Sequence, residues 1–216
     1  MKTKRATCAG QTKCFLKNSL LSMALPKVIR SSLFLLLSLF AFRNSKAQDT
    51  VALIKKVEPA VVKLQIKLQG KIEVSFGAGF FINSQGDILT NKHVIQPIFS
   101  GPYLLTAKNS KGEDLGAVKV VDCSPDVDAC LLHVDRKPES FLSLGDNPNP
   151  VKPDKGTDII VIGHPRGYDF SVTTGIVSGY LNESDPVRKL FLEQIQISAP
   201  ISPGNSGGPI VDKKGN

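Results

Sequence analysis

The stretch GNSGGPIV, residues 204–211, decides how the whole chain is read. Ser206 formally satisfies G-x-S-x-G, the pattern of a nucleophile on a strand-to-helix elbow. That architecture needs its acid and its histidine after the serine. Ten residues follow Ser206 and none is histidine, so the pattern is excluded. A phosphate-binding loop needs a Lys and a Ser or Thr directly after its glycines. Here Pro209, Ile210 and Val211 lead into a strand-like run instead. The remaining chemistry places the partners of Ser206 upstream, in the order His, Asp, Ser.

A serine hydroxyl is a weak nucleophile until a base takes its proton, and a carboxylate then orients that base. Three histidines are available. His133 sits inside CLLHVD and reads as a strand residue satisfied locally. His164, in GHPRG, reads as a turn residue beside a substrate cleft. His93 closes DILTNKHVI, where an apolar strand gives way to a polar end, and is the chosen base. The acid falls between His93 and Ser206, among Asp122, Asp126 and Asp128; the apolar company of Asp128 in DACLL favours it slightly. Gly204 and Gly208 permit backbone conformations closed to other residues. Such a loop can turn the N–H groups of Gly204 and Ser206 into one hollow, an oxyanion hole.

Outward from these motifs the chain reads as strands. VVKLQIKL (61–68) alternates Val62, Leu64, Ile66 and Leu68, the period of a half-buried strand. EVSFGAGFFI and DILTNKHVI flank the turn NSQG, and further short runs follow between Gly, Pro, Asn and Asp residues. One short helix is expected in DTVALIKKVEPA (49–60), ended near Pro59. Many short strands with little helical periodicity imply an all-β sandwich or barrel. The Pro-rich stretch RKPESFLSLGDNPNPVKPDKG divides the body into two halves.

The net charge of +8 does not indicate nucleic acid. Residues 1–48 carry nine Lys or Arg and no acid, which leaves 18 basic against 19 acidic residues in the rest. A near-neutral body offers no footprint for a phosphate backbone. The basic segment reads as an export leader: Arg30, then the uncharged SSLFLLLSLFAF, then Ser45 and Ala47 as a small-x-small cleavage pattern before Gln48. The apolar run is too short to span a bilayer comfortably, so no membrane span is expected after cleavage. Met23 supplies a start of ordinary length for that leader. Cys8 and Cys14 leave with it. Cys123 and Cys130 are expected as partly buried thiols, although an oxidising compartment permits a disulfide. No CxxC or HExxH motif points to a metal.

Four blocks, GAGFFINSQGDILTNKHVI, VDACLLHVD, VIGHPRGYDFSVTTGIVSG and ISAPISPGNSGGPIV, occur in one order. Together they resemble the chymotrypsin-like serine proteases of the HtrA (Deg) type, from about residue 50 to the end of the chain. The resemblance implies an all-β, chymotrypsin-like fold of two six-stranded β-barrels. It implies His93 as general base, Asp128 as orienting acid, Ser206 as nucleophile and an oxyanion hole at Gly204 and Ser206. Ser198, Ala199, Pro200, Ile201 and His164 fall near the specificity pocket, where the family's usual preference is for small aliphatic side chains. The segment SAPIS departs from the family's common pattern of one acidic and two small residues.

The organisation expected is a leader at 1–47, a first barrel with His and Asp at 48–140, a connection at 141–154, and a second barrel with Ser at 155–216. The chain ends at VDKKGN, a hairpin turn without its return strand, so the second barrel is expected to be incomplete. The function implied is an exported, periplasmic or extracellular, serine endopeptidase acting on exposed or misfolded polypeptides. No cofactor, metal or nucleic acid is implied; the family's habit suggests a homotrimer. The alternative is a non-catalytic, protease-like binding or chaperone module, or an inactive fragment.

Overall fold

The structure is a computed structural model that describes residues 49–68, 73–145, 152–164, 170–185 and 190–216. The expected leader at 1–47, with Cys8 and Cys14, lies outside the described residues. Helix α1 (residues 49–57) opens the described chain and passes into a 3-10 turn, Glu58–Ala60, at Pro59. Proline has no N–H to continue the helix, so the helix stops where the sequence predicts.

The first sheet is built from β1 (Val61–Leu68), β2 (Glu73–Phe81), β3 (Asp87–Thr90), β4 (Tyr103–Lys108), β5 (Asp114–Ala117), β6 (Lys119–Cys123) and β7 (Cys130–His133). Its order is β5-β4-β1-β2-β3-β7-β6, with every pairing antiparallel. The two edge strands, β5 and β6, are consecutive in sequence and separated by Val118 alone. The sheet therefore curls until its ends meet through one bent strand. With β5 and β6 taken as one strand broken at Val118, six strands close the barrel. Val118 makes the corner: its N–H donates to the Leu105 carbonyl at 3.0 Å, and its side chain turns into the core. Closure removes the edges that would otherwise expose unpaired backbone groups.

Inside that barrel pack Val62, Leu64, Ile66, Phe81, Ile88, Leu105 and Leu132, all buried. The alternation predicted for residues 61–68 puts Val62, Leu64 and Ile66 here. The opposite face of β1 is buried as well, because Val61 faces a second cluster. That cluster joins Leu53 and Val57 of α1 to Ile160, Ile162 and Val211 of the second sheet. A residue buried on each side of β1 thus holds the two halves together.

The second sheet contains β8 (Asp158–Gly163), β9 (Ser171–Asp185), β10 (Leu190–Ile197) and β11 (Ile210–Asp212), in the order β10-β9-β8-β11. Four strands stand here among the described residues, where the sequence implies a barrel of six. A four-residue helix, α2 (Lys92–Ile95), follows β3 and brings His93 to the end of the first barrel. Among the described residues no helix is long and apolar enough to cross a membrane.

Candidate active site

His93 is fixed by what precedes it. Thr90, buried at the end of β3, donates its hydroxyl to the Ala78 carbonyl on β2 at 2.7 Å, which anchors the strand end. Asn91 then takes an extended conformation as the N-cap of α2, but its side chain makes no cap bond. Asp128 fills that role from the β6–β7 loop. Its Oδ1 accepts the His93 N–H at 2.9 Å, and its Oδ2 lies 2.5 Å from His93 Nδ1. A carboxylate only accepts, so the ring proton belongs on Nδ1 and Nε2 is left with its lone pair.

Partial burial alone would push the Asp128 carboxyl upward. The bonds it accepts from the His93 ring and from the backbone of His93 and Lys92 outweigh that and hold it below the ordinary 3.8. Among the described residues Asp128 is the one carboxylate bonded to His93. Asp122 accepts only its neighbour's N–H, that of Cys123, and Asp126 lies exposed.

The loop bearing Asp128 is closed by a disulfide between Cys123 and Cys130. Partly buried thiols were the sequence expectation, and the structure corrects it. The two residues are direct partners in the β6–β7 ladder, a proximity that spacing alone does not reveal. Within the loop, Ser124 Oγ accepts the N–H groups of Asp126 and Val127, each at 3.2 Å. Lys92 Nζ reaches the Ser124 carbonyl at 3.2 Å.

Ser206 stands on a loop that fits between the two sheets. Asn205 N–H donates to the Ser202 carbonyl at 3.0 Å, with Pro203 and Gly204 at the turn's centre. Gly204 has φ +103°, which makes this a type II turn with proline and glycine at their favoured positions. A Cβ on Gly204 would lie 2.1 Å from the His164 carbonyl oxygen. Past the serine, Ser206's own carbonyl accepts the Ala78 N–H at 2.8 Å. Gly207 has φ +83°, and a Cβ there would lie 2.1 Å from the Ala78 oxygen. Gly208 has no such φ; it is glycine because a Cβ would meet the Ile162 oxygen at 2.2 Å. The sequence reading thus gave Gly208 the conformational freedom that Gly207 exercises. Among the described residues no protein acceptor takes the N–H of Gly204 or of Ser206.

His93, Gly204 and Ser206 line one cavity of about 460 Å³, together with Phe76, Val94, Ile201, Ser202 and Pro203. Of the five residues expected at the specificity pocket, only Ile201 lines it. Ser198 Oγ accepts the Ile176 N–H at 2.9 Å, and Ala199 packs against Gly175. The Pro200 carbonyl accepts the Thr173 hydroxyl at 3.0 Å. His164 is buried beneath the turn. Its N–H donates to the Gly204 carbonyl at 3.2 Å, and its ring stands edge-on to Phe170 at 3.9 Å. It supports the loop from behind and does not face the cavity.

Five residues of the site were not expected from sequence: Phe76, Asn91 and Val94, with Ser202 and Pro203 of the serine's own loop. Val94 follows His93 directly and Asn91 precedes it by two residues in TNKHVI, where closeness in sequence was the available signal. Phe76 comes from β2, and only the tertiary fold brings it here. Among the described residues no cluster of three His, Cys, Asp or Glu side chains could hold a metal ion.

This geometry has close relatives. Residues 77–216 match the family model described as a trypsin-like peptidase domain. A probable periplasmic serine endoprotease, DegP-like, of Pseudomonas putida is 38% identical over 143 residues, covering 65% of this chain and 28% of that protein. Protease Do-like 5, chloroplastic, of Arabidopsis thaliana is 33% identical over 198 residues, 78% of this chain and 58% of its own length. The chain therefore spans little more than a quarter of the DegP-like relative. Among solved structures, Deg5 superposes with a TM-score of 0.64 at 30% identity, covering 79% of this chain and 82% of Deg5. The HtrA-type protease AlgW with tripeptide gives 0.62 at 28% identity, covering 76% and 50%. The chain belongs to the trypsin-like peptidase family, within its serine proteases of the HtrA/Deg type.

Proposed function

We propose that this chain is the proteolytic part of an exported serine endopeptidase that cleaves exposed segments of polypeptides. His93 Nε2 removes the Ser206 hydroxyl proton as Oγ bonds to the substrate carbonyl carbon. The carbonyl electron pair moves onto oxygen, and the N–H groups of Gly204 and Ser206 receive that charge. The proton on His93 passes to the amide nitrogen as the C–N bond breaks, leaving an acyl-enzyme on Ser206. Water, deprotonated by His93, then attacks the ester carbonyl; the C–Oγ bond breaks, His93 returns the proton to Ser206 Oγ and the acid is released. Asp128 holds the ring in the required tautomer and stabilises the imidazolium while it exists.

The single observation that carries this reading is one cavity wall shared by His93 and Ser206, with Asp128 bonded to His93 on the far side. The apolar lining from Phe76, Val94, Ile201 and Pro203 favours an apolar side chain beside the scissile bond. Export is proposed from the leader pattern of residues 1–47 and from the periplasmic naming of the DegP-like relatives. A chloroplastic relative leaves the compartment itself as part of the proposal.

The test is labelling of the full chain with a fluorophosphonate, alongside Ser206→Ala and His93→Ala, with the adduct located by mass spectrometry. Labelling at Ser206 that both substitutions abolish is the expected result. A folded chain that takes up no probe overturns the enzymatic reading and leaves a protease-like binding module.

A further inference from the structure

We infer that Asn91 is a positioning residue that fixes the loop of the acid against the loop of the nucleophile, an inference that rests on the function proposed above. Asparagine at an N-cap normally spends its side-chain oxygen on the N–H groups of its own helix. Asn91 does not, because Asp128 takes the His93 N–H in its place. Both ends of the Asn91 carboxamide are committed elsewhere. Its Nδ2 donates to the Asp128 carbonyl at 2.7 Å, and its Oδ1 accepts the Gly207 N–H at 2.7 Å.

These partners lie 37 and 116 residues away in sequence. One belongs to the residue that holds His93, the other to the residue after Ser206. The amide orientation follows from the chemistry: turned over, it would set oxygen against the Asp128 carbonyl and NH2 against an N–H. Aspartate lacks the donor and alanine lacks both groups. Asparagine is thus the residue whose one short side chain joins the two loops while its backbone begins the helix that carries His93. The peptide after Ser206 is then held from two sides, by Ala78 N–H on the serine carbonyl and by Asn91 on the Gly207 N–H.

Loss of this link lets Ser206 and the Asp128–His93 pair drift relative to each other, while the cavity that binds the probe stays in place. The experiment is saturable inactivation of the full chain by a fluorophosphonate, resolved into the limiting rate kinact and the half-saturation KI. Asn91→Ala is expected to lower kinact by about 10- to 100-fold with KI unchanged, the scale of a small misalignment of reacting groups. In an Asp128→Ala background the same substitution is expected to cost much less, since both act on one arrangement. The isosteric Asn91→Asp is measured alongside, with circular dichroism on each variant, in case the alanine variant unfolds. Unchanged kinact in a folded variant overturns the inference while the proposed function stands. An equal, additive loss in the Asp128→Ala background overturns it as well. A wild-type chain that Ser206 labelling does not reach overturns the proposed function and this inference together.

Discussion

Asp128 meets His93 at two points, the backbone N–H at 2.9 Å and the ring Nδ1 at 2.5 Å, so a single carboxylate both caps the helix and orients its histidine. The fold of the loop and the chemistry of the ring are thereby coupled. Whatever moves the β6–β7 loop also moves the ring, and this coupling sets the first expectation.

Asp128→Asn presents an NH2 group where the ring N–H now donates, which favours the wrong tautomer. Acylation of Ser206 should fall by roughly 10⁴-fold, the scale seen when a triad carboxylate is converted to its amide. The amide oxygen can still accept the His93 N–H, so what the fold loses is the charge of the cap and not the cap bond itself. The native carboxyl titrates below its ordinary 3.8, so its contribution is present above that value and is lost as pH falls through the lower, native one. Urea unfolding of both proteins should therefore show a gap near neutral pH that closes in acid. A gap independent of pH would disprove the linkage.

Gly207→Ala should be far more damaging than an ordinary surface substitution. Its φ of +83° alone costs an L-residue about 1–2 kcal/mol, and the new Cβ would press on the Ala78 oxygen and the Thr90 hydroxyl. Those atoms belong to the bond that anchors β3 ahead of His93, so activity should fall along with the melting temperature. A variant that melts like the parent would show that the loop relaxes freely.

The strand at 61–68 was legible because Val62, Leu64 and Ile66 alternate into the first core, although Val61 and Gln65 on the other face are buried too. The order His, Asp, Ser was read from a chain that offers three histidines. The residues alone favoured Asp128 only slightly over Asp122 and Asp126, and the family resemblance made the choice. In the structure Asp122 lies within β6 while Asp128 stands in the β6–β7 loop, where it bonds to His93. What stayed hidden depends on residues far apart in the chain. Val118 reads as an ordinary strand residue, yet it is the corner at which the barrel closes. Ser198, Ala199 and Pro200 sit close to Ser206 in sequence, but their hydrogen bonds and packing against β9 turn them from the cavity. Phe76 enters it from β2. Cys123 and Cys130 needed their ladder pairing to be seen as a bonded pair.

His133 should give the fold a second pH dependence, remote from the cavity. Its ring lies 2.8 Å from Asp87 Oδ1, its ladder partner on β3, and 3.2 Å from Asp135 Oδ1. The bond with Asp87 chiefly, helped by Asp135 against some desolvation, raises the imidazole above 6.5. A raised basic group stabilises the fold below its unfolded pKa, and that stabilisation disappears as pH rises through the native one. His133→Gln should therefore lower the melting temperature most near pH 5 to 6 and progressively less above about pH 7. Equal losses at all pH values would mean that the ring acts by packing alone.

Reduction of the Cys123–Cys130 disulfide separates the stability of the Asp128 loop from its alignment. The bond closes a short loop, with a sequence separation of 7. Cross-linking a loop of that size stabilises a fold by roughly 2–3 kcal/mol in the chain-entropy account. Cys130 is buried in the first barrel's core, so the reduced thiol at that position has apolar neighbours and β7 should persist. Besides the loop's own bonds at Ser124, three residues outside it still hold it after reduction: Lys92 on the Ser124 carbonyl, Asn91 on the Asp128 carbonyl and His93 on the Asp128 carboxylate. All three come from the α2 segment, whereas the disulfide ties the loop to its own barrel. Reduction should therefore lower the melting temperature by several degrees and slow the labelling of Ser206 at a temperature where the chain is still folded. Oxidation should restore both. A lower melting temperature with an unchanged labelling rate would mean that the α2 contacts alone align Asp128, and that the disulfide only stabilises the barrel.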